Sequence, residues 1–179
     1  MTTIAPMTMT TETIAVLAQH RFDETRLEHY LRTHLPEFTP PLSVAQTQGG
    51  MSNPTFILTD GNGKRYVMRK KPPGKLLPSA HAVDREFQAI SALGPTDVPV
   101  AKARVLCQDP TVVGTDFYIM DFVEGRVFRA HTLPDMSPAE RRRIYDAMVD
   151  TLAKLHAVDF RAVGLDTYGR IGGYLIRQV

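Results

Sequence analysis

The chain has 179 residues, 43% of them hydrophobic, and a formal net charge of +2. This length suits one domain with a substantial core, or one compact domain and part of another. The near-balanced charge, with basic runs only at 69–71 and 141–143, does not indicate nucleic-acid binding. No apolar run could cross a bilayer and the first twenty residues do not resemble a secretion signal, so we expect a cytoplasmic protein with no membrane partner.

The N-terminal part of the chain predicts a flexible segment followed by a helix. Residues 1–20 are rich in Thr and Met and have no sustained hydrophobic period, which favours a flexible lead-in. In the next segment Leu27, Leu31 and Leu35 recur at helical spacing until Pro36. We therefore expect the first helix within residues 22–35.

Three strands are predicted after this helix, at 42–48, 55–60 and 65–70. The last two flank the run DGNG at 60–63, which is a strong hairpin signal. The first two flank QGGMSNP at 48–54, where two glycines leave backbone N–H groups open to an anion. The same residue types are ordinary turn formers, and this segment alone favours a plain turn.

A second helix is predicted at 82–93, ended by Gly94-Pro95. Its apolar side chains, from Val83 to Leu93, recur every three or four residues, and Glu86 falls within the same arc. A carboxylate on a buried face needs a partner. The alternative is that Glu86 extends to solvent at the edge of the stripe.

Two further strands, at 103–108 and 115–123, bring the predicted total to five. The only cysteine, Cys107, lies in the first of them, where a buried small apolar role is expected. A long helix is then predicted at 137–158, since Ser137 and Glu140 form a capping box. Its apolar stripe requires a covering surface and consists of Ile144, Met148, Leu152 and Leu155.

This order of elements and the runs that carry it resemble the aminoglycoside phosphotransferase family, which has a kinase-like fold. The branch most similar is the kinase-like domain fused to some acyl-CoA dehydrogenases. The resemblance covers roughly residues 22–179, and its longest runs are YVMRKKPPGKLLPSAHAVDREFQAISAL, VVGTDFYIMDFVEGRVF and SPAERRRIYDAMVDTLAKLH. It implies an α+β fold, with a small lobe of five antiparallel strands and a helix at 21–124 and the start of a helical lobe at 125–179, after the flexible segment that composition predicts at 1–20.

The resemblance also answers what QGGMSNPTF does, because it implies a loop over the phosphates of ATP. Backbone N–H groups would come from Gly49, Gly50 and Met51, and side-chain hydrogen bonds from Ser52 and Asn53. The three-glycine pattern of protein kinases is absent.

A basic residue on the third strand is implied to bind the phosphates and to pair with Glu86. Arg69 is the first choice, because it matches the family position and shares a face with Val67. An arginine there could pair with Glu86 bidentately. Lys71, at the strand end, is the second choice, and Lys70 is expected to point away. A solvated basic cluster remains the alternative for Lys70.

The run FYIMDFVEG resembles the strand that leads into the hinge between two kinase lobes. The resemblance implies that Met120 faces the adenine pocket, and that the backbone of Asp121 and Val123 hydrogen-bonds the adenine edge. Met120 as an ordinary core residue is compatible with the same pattern.

The family's catalytic loop, H-G-D-x-x-x-x-N, does not occur in this sequence. His156 and Asp159 imitate its start, but the glycine is missing and the only asparagines are Asn53 and Asn62. We therefore expect no catalytic residue in this chain and Mg²⁺ bound only through residues outside it. The parent protein is expected to transfer phosphate from ATP to a hydroxyl of a small molecule.

Two other functions and one partner remain open at this stage. The chain could be a non-catalytic module that binds nucleotide or another protein, or a purely structural domain. Because the stripe of the long helix lacks a predicted cover, we also expect the 179-residue chain to form a homodimer.

Overall fold

A computed structural model describes residues 13–48, 53–74, 81–128, 130–170, 172–173 and 176. Within these ranges one antiparallel sheet has the strand order β1-β2-β3-β4-β6-β5. The strands are β1 (Thr13–Ile14), β2 (Ser43–Thr47), β3 (Thr55–Thr59), β4 (Arg65–Lys70), β5 (Ala103–Cys107) and β6 (Phe117–Asp121). The helices are α1 (Glu24–His34), α2 (Val83–Leu93), α3 (Pro110–Val113) and α4 (Pro138–Ala157). The mixed α/β architecture with an antiparallel sheet is the one predicted.

The sheet has one more strand than the five predicted, and the extra strand lies in the segment interpreted as flexible. β1 pairs with the edge of β2, and the buried side chain of Gln46 holds the residues that follow it. Its Oε1 accepts from the backbone N–H of Leu17 at 3.1 Å, and its Nε2 lies 3.0 Å from Nδ1 of His20. Residues 13–20, interpreted as part of a flexible lead-in, thus carry a short strand and contacts with Gln46, while residues 1–12 lie outside the described ranges.

The main core lies between one face of the sheet and α1. Along β4 the side chains alternate, so that Tyr66, Met68 and Lys70 are buried on the core side. Cys107 is 2% exposed and free, as expected of a small apolar core residue. The other members of this core are Leu27, Leu31, Leu35, Phe38, Phe56, Leu58, Val105, Val113, Phe117 and Ile119.

Lys70 is buried rather than solvated, which corrects the expectation that it could belong to a solvated basic cluster. It does point away from Arg69, but its side chain enters the core and is 3% exposed at the residue level. Its ammonium donates to the carbonyl of Val113 at 3.2 Å, at the end of α3, and lies 5.2 Å from the ring centroid of Phe22. Burial lowers the pKa of Lys70 because it disfavours the charged form.

The two predicted hairpins are present, although the first turn itself is not described. β2 and β3 pair directly on either side of residues 48–54, of which 49–52 lie outside the described ranges. In the second turn Asp60 Oδ1 accepts from the backbone N–H groups of Asn62 and Lys64, each at 2.9 Å. Gly61 is required there, because a Cβ would collide with the carbonyl oxygen of Pro40.

The long helix α4 begins as predicted and leaves its apolar stripe uncovered. The Ser137 side chain and the Glu140 side chain cap each other's backbone N–H groups. Met148, Leu152 and Leu155 are 60%, 51% and 43% exposed, and α4 has no buried residue. In the part of the chain that is described, no helix has the length and apolarity that crossing a membrane would require.

Candidate functional site

The sheet face opposite the main core carries an apolar row and, next to it, a polar row. The apolar row crosses five strands through register partners, which are Ala45, Ile57, Val67, Met120 and Ala103. The polar row lies two residues further along β4 and consists of Thr55, Arg69 and Tyr118. Same-face residues on a strand have Cα atoms about 7 Å apart, so Arg69 occupies the row next to the apolar floor at Val67.

Arg69 and Glu86 are close together, as the sequence predicted for an inward-facing pair. Arg69 Nε lies 3.2 Å from Glu86 Oε2, and both side chains are about one-third exposed (33% and 34%). The bidentate hydrogen bonding expected of this pair does not occur, because no hydrogen bond of normal geometry joins the two side chains. Nε itself is buried and has no hydrogen-bond partner among the described residues. The contact is therefore one of charge.

The Glu86 carboxylate receives its hydrogen bonds from two neutral donors instead. Asn53 Nδ2 donates to Oε1 at 2.8 Å, and the hydroxyl of Tyr118 donates to Oε2 at 3.0 Å. Tyr118 is buried beneath α2, with its ring 6.0 Å from that of Phe87. Burial, and next the negative charge of Glu86, raise the pKa of the Tyr118 hydroxyl, which stays protonated as a donor.

Asn53 is fixed at both ends of its amide. It is 3% exposed, and its Oδ1 lies 2.9 Å from Nδ1 of His81, just before α2. Sequence reasoning assigned Asn53 to phosphate binding and overlooked Tyr118 and His81 altogether. Tyr118 could have been found as the cross-strand neighbour of Arg69 once β4 and β6 were paired, whereas no local pattern pointed to His81.

The remaining predicted phosphate ligands are either undescribed or engaged elsewhere. Gly49, Gly50, Met51 and Ser52 lie outside the described residues, so their contacts stay predictions. Lys71, the second choice for the phosphate-binding cation, forms an ion pair with Asp116 in which Nζ and Oδ2 are 2.6 Å apart. Arg69 is thus the cation of the 69–71 run that faces the open side of the sheet.

The end of β6 is held to β5 by a side-chain ion pair, and Val123 just beyond it has open backbone groups. Arg104 Nε and Nη2 donate to the two carboxylate oxygens of Asp121, each at 2.7 Å, and Arg104 Nη1 lies 2.6 Å from Glu37 Oε1. The Asp121 N–H donates to the carbonyl of Lys102. Val123 is 66% exposed, and within the described ranges its backbone has no hydrogen-bond partner. Met120 is half-buried in the apolar floor, between Val67 and Ala103.

The stretch that imitates a catalytic loop has a local structural role. Asp159 Oδ1 accepts from the backbone N–H groups of Arg161 and Ala162, at 2.9 and 3.3 Å, just after α4 ends. His156 lies on the exposed surface of the helix. Among the described residues no cluster of three or more His, Cys, Asp or Glu side chains could hold a metal ion.

Comparisons with known proteins show which longer proteins contain a similar sequence. The chain is 49% identical over 177 residues to acyl-CoA dehydrogenase family member 11 of Rattus norvegicus, covering 97% of this chain and 23% of that protein. It is 42% identical over 154 residues to family member 10 of Mus musculus, covering 86% of this chain and 14% of that one. The chain therefore spans less than a quarter of these relatives.

A solved structure and a family model place the chain more closely. A crystal structure from Ralstonia eutropha, provisionally named an aminoglycoside phosphotransferase, superposes with a TM-score of 0.77 at 49% identity, over 88% of this chain and 45% of that one. The sequence model of the phosphotransferase enzyme family matches residues 43–179, which is most of the chain. With its kinase-like sheet and the paired Arg69 and Glu86, the chain belongs to the phosphotransferase enzyme family.

Proposed function

We propose that this chain is the nucleotide-binding lobe of an ATP-dependent phosphotransferase whose acceptor is a hydroxyl group on a small molecule. The observation that carries the proposal is Arg69, a one-third-exposed cation on the open face of the sheet that pairs with Glu86 by charge but forms no hydrogen bond with it. A phosphate oxygen would accept charge-assisted hydrogen bonds from such a guanidinium.

The two rows of the sheet suit the two ends of ATP. The adenine ring would pack on the half-buried apolar floor at Val67 and Met120. Its polar edge would meet the carbonyl of Asp121, whose N–H is already used, and the backbone of Val123. The phosphates would then reach Arg69, one row further along, and the N–H groups of residues 49–51 would enclose them.

Mg²⁺, the second proposed cofactor, would be held by residues outside this sequence. No acidic cluster in the described ranges could bind it, and the motif H-G-D-x-x-x-x-N is absent from all 179 residues. When bound, the metal would neutralise charge on the transferring phosphate. The reaction would take place in the cytoplasm, where ATP is available.

Calorimetric titration of the chain with ATP and with adenosine tests the proposal. We expect saturable ATP binding, weakened by Arg69→Met about tenfold or more with adenosine binding unchanged, because a charged hydrogen bond contributes about 1.5–3 kcal/mol. Arg32→Met is the matched control, since Arg32 is exposed on α1 and pairs with Glu28 alone among the described residues. Absence of saturable binding, or equal ATP affinity of the Arg69 and Arg32 variants, would refute the proposal.

Nucleotide binding by this chain separates the proposal from a purely structural domain. A non-catalytic binding module is separated in a second step, by assaying the longer protein that contains this sequence for phosphate transfer to small-molecule alcohols. Transfer that Arg69→Met abolishes supports the enzyme. Tight ATP binding without any transfer supports the non-catalytic module.

A further inference from the structure

We propose that Asn53 is a positioning residue, which orients Glu86 and through it holds Arg69 in the place where it meets phosphate. The inference rests on the proposed nucleotide binding and adds a role that differs from direct phosphate contact. It starts from the fact that both polar atoms of the Asn53 amide are already engaged by protein groups.

The amide of Asn53 can occupy only one orientation in this network. Nδ2 must face Glu86, because an ionised carboxylate only accepts hydrogen bonds. Oδ1 therefore faces His81, and Nδ1 of that imidazole must carry a proton to donate across the 2.9 Å separation. Rotating the amide by a half-turn would set Oδ1 against the Glu86 carboxylate and lose that bond at a residue that is 3% exposed.

Asn53 controls the half of the Glu86 carboxylate that no other described group holds. Oε1 takes its hydrogen bond from Asn53, while Oε2 takes one from Tyr118 and lies next to Arg69. The last torsion of a glutamate side chain is broad and weakly restrained. Without the Asn53 bond the carboxylate would turn about its contact with Tyr118, and Arg69 would lose a fixed counter-charge.

The position of Asn53 in the chain gives this network a second consequence. Asn53 directly follows residues 49–52, and the carbonyl of Pro54 accepts from the N–H of Lys70 at 3.1 Å. One end of the implied phosphate loop is thus tied to β4 through Pro54 and to the start of α2 through His81. His81 has a φ of 58°, a left-handed conformation that is uncommon outside glycine but in which histidine is enriched. The buried amide of Asn53 thus connects the residue that follows 49–52 with the start of α2 through His81 and with Arg69 through Glu86.

The test is Asn53→Asp, compared with Asn62→Asp in titrations of the chain with ATP and with adenosine. The first variant keeps the shape and the acceptor for His81 but turns a carboxylate oxygen towards Glu86. The second adds the same charge at the other asparagine of the sequence, in the exposed 60–63 turn. We expect Asn53→Asp to weaken ATP binding about tenfold or more, as loss of a charged hydrogen bond would, and to leave adenosine binding within about twofold.

The selectivity for ATP over adenosine separates positioning from folding. Equal ATP affinity of the Asn53 and Asn62 variants would overturn the inference and leave the proposed function standing. Equal loss of ATP and adenosine binding by Asn53→Asp would also overturn it, because a general structural role would act on both. Absence of ATP binding by the unmodified chain would overturn the proposed function itself and the inference with it. Asn53→Ser, which removes the amide without adding charge, must show the same selective loss.

Discussion

Replacing Glu86 by alanine should destabilise the chain more than the same replacement of an exposed carboxylate would. Glu86 accepts two hydrogen bonds, from Asn53 and Tyr118, and lies 3.2 Å from Arg69. Hydrogen bonds to a charged group contribute about 1.5–3 kcal/mol each, so the two bonds together amount to about 3 kcal/mol at the lower limit. A pair that is one-third exposed adds less than about 1 kcal/mol.

Water reduces this sum, because the Glu86 side chain is 34% exposed and its former donors would be partly rehydrated. We therefore expect Glu86→Ala to lower the free energy of unfolding by about 2–3 kcal/mol. Glu86→Gln keeps an acceptor and the shape but loses the charge, so its loss should be about 1 kcal/mol. Urea denaturation at pH 7 measures both, with an unchanged m-value as evidence that the folded and unfolded states are comparable.

Asp146→Ala is the matched control for these variants. Asp146 is also a helical carboxylate paired with an arginine, but its contact with Arg142 spans 3.5 Å between side chains that are 64% and 83% exposed. Exposed pairs of this kind contribute about 0.5 kcal/mol or less. If Glu86→Ala costs no more than Asp146→Ala, the network around Glu86 does not stabilise the fold and the reasoning fails.

Three further predictions concern activity, pH and assembly. The 179-residue chain alone should transfer no phosphate from ATP, because this chemistry depends on positioning and metal-binding residues of the H-G-D-x-x-x-x-N loop, which the sequence lacks. Formation of product that Asp159→Ala abolishes would contradict this prediction. Folding raises the pKa of Tyr118 above the ordinary 10.0. Its stabilising contribution is therefore complete below pH 10 and is lost as the pH rises from 10 towards the folded-state pKa. The difference in free energy of unfolding between the unmodified chain and Tyr118→Phe should then shrink in urea titrations above pH 10. The exposed stripe at Met148, Leu152 and Leu155 should drive dimerisation, and a monomeric mass by light scattering at high micromolar concentration would rule it out.

Local patterns predicted most of the sheet, and together with the family resemblance they predicted the pairing of Arg69 with Glu86. Two-residue alternation assigns Arg69 to one face of β4 and Met68 to the other, and helical periodicity turns Glu86 inward. The DGNG run specifies its turn because Asp60 can bind the N–H groups of the residues that follow it. Each of these inferences depends on residues only a few positions apart, which is where sequence patterns are informative.

Features that depend on distant partners could not be predicted in this way. β1 is only two residues long, and it is held by Gln46, more than thirty positions away. Within the run 69–71, Lys70 has the sequence context of a surface lysine. Its burial depends on the carbonyl of Val113 at the end of α3, which accepts a hydrogen bond from the ammonium. His81 reaches Asn53 across 28 positions. Hydrogen bonds of this kind leave no periodic trace, because one polar residue at each end is enough to form them.

Arg69 and Glu86 meet through charge, whereas neutral side chains supply the hydrogen bonds of the carboxylate. A guanidinium has five N–H donors, and a fork-like pair with Glu86 would use two of them. Here Asn53 and Tyr118 each donate to one oxygen of the carboxylate, and Arg69 Nε lies 3.2 Å from Oε2 without a hydrogen bond to it. Under the proposed function, the donors that Glu86 does not take would bind an oxyanion with a fork geometry that a lysine ammonium lacks. Asn53 and Tyr118 would then contribute to the site as the neutral donors that hold Glu86.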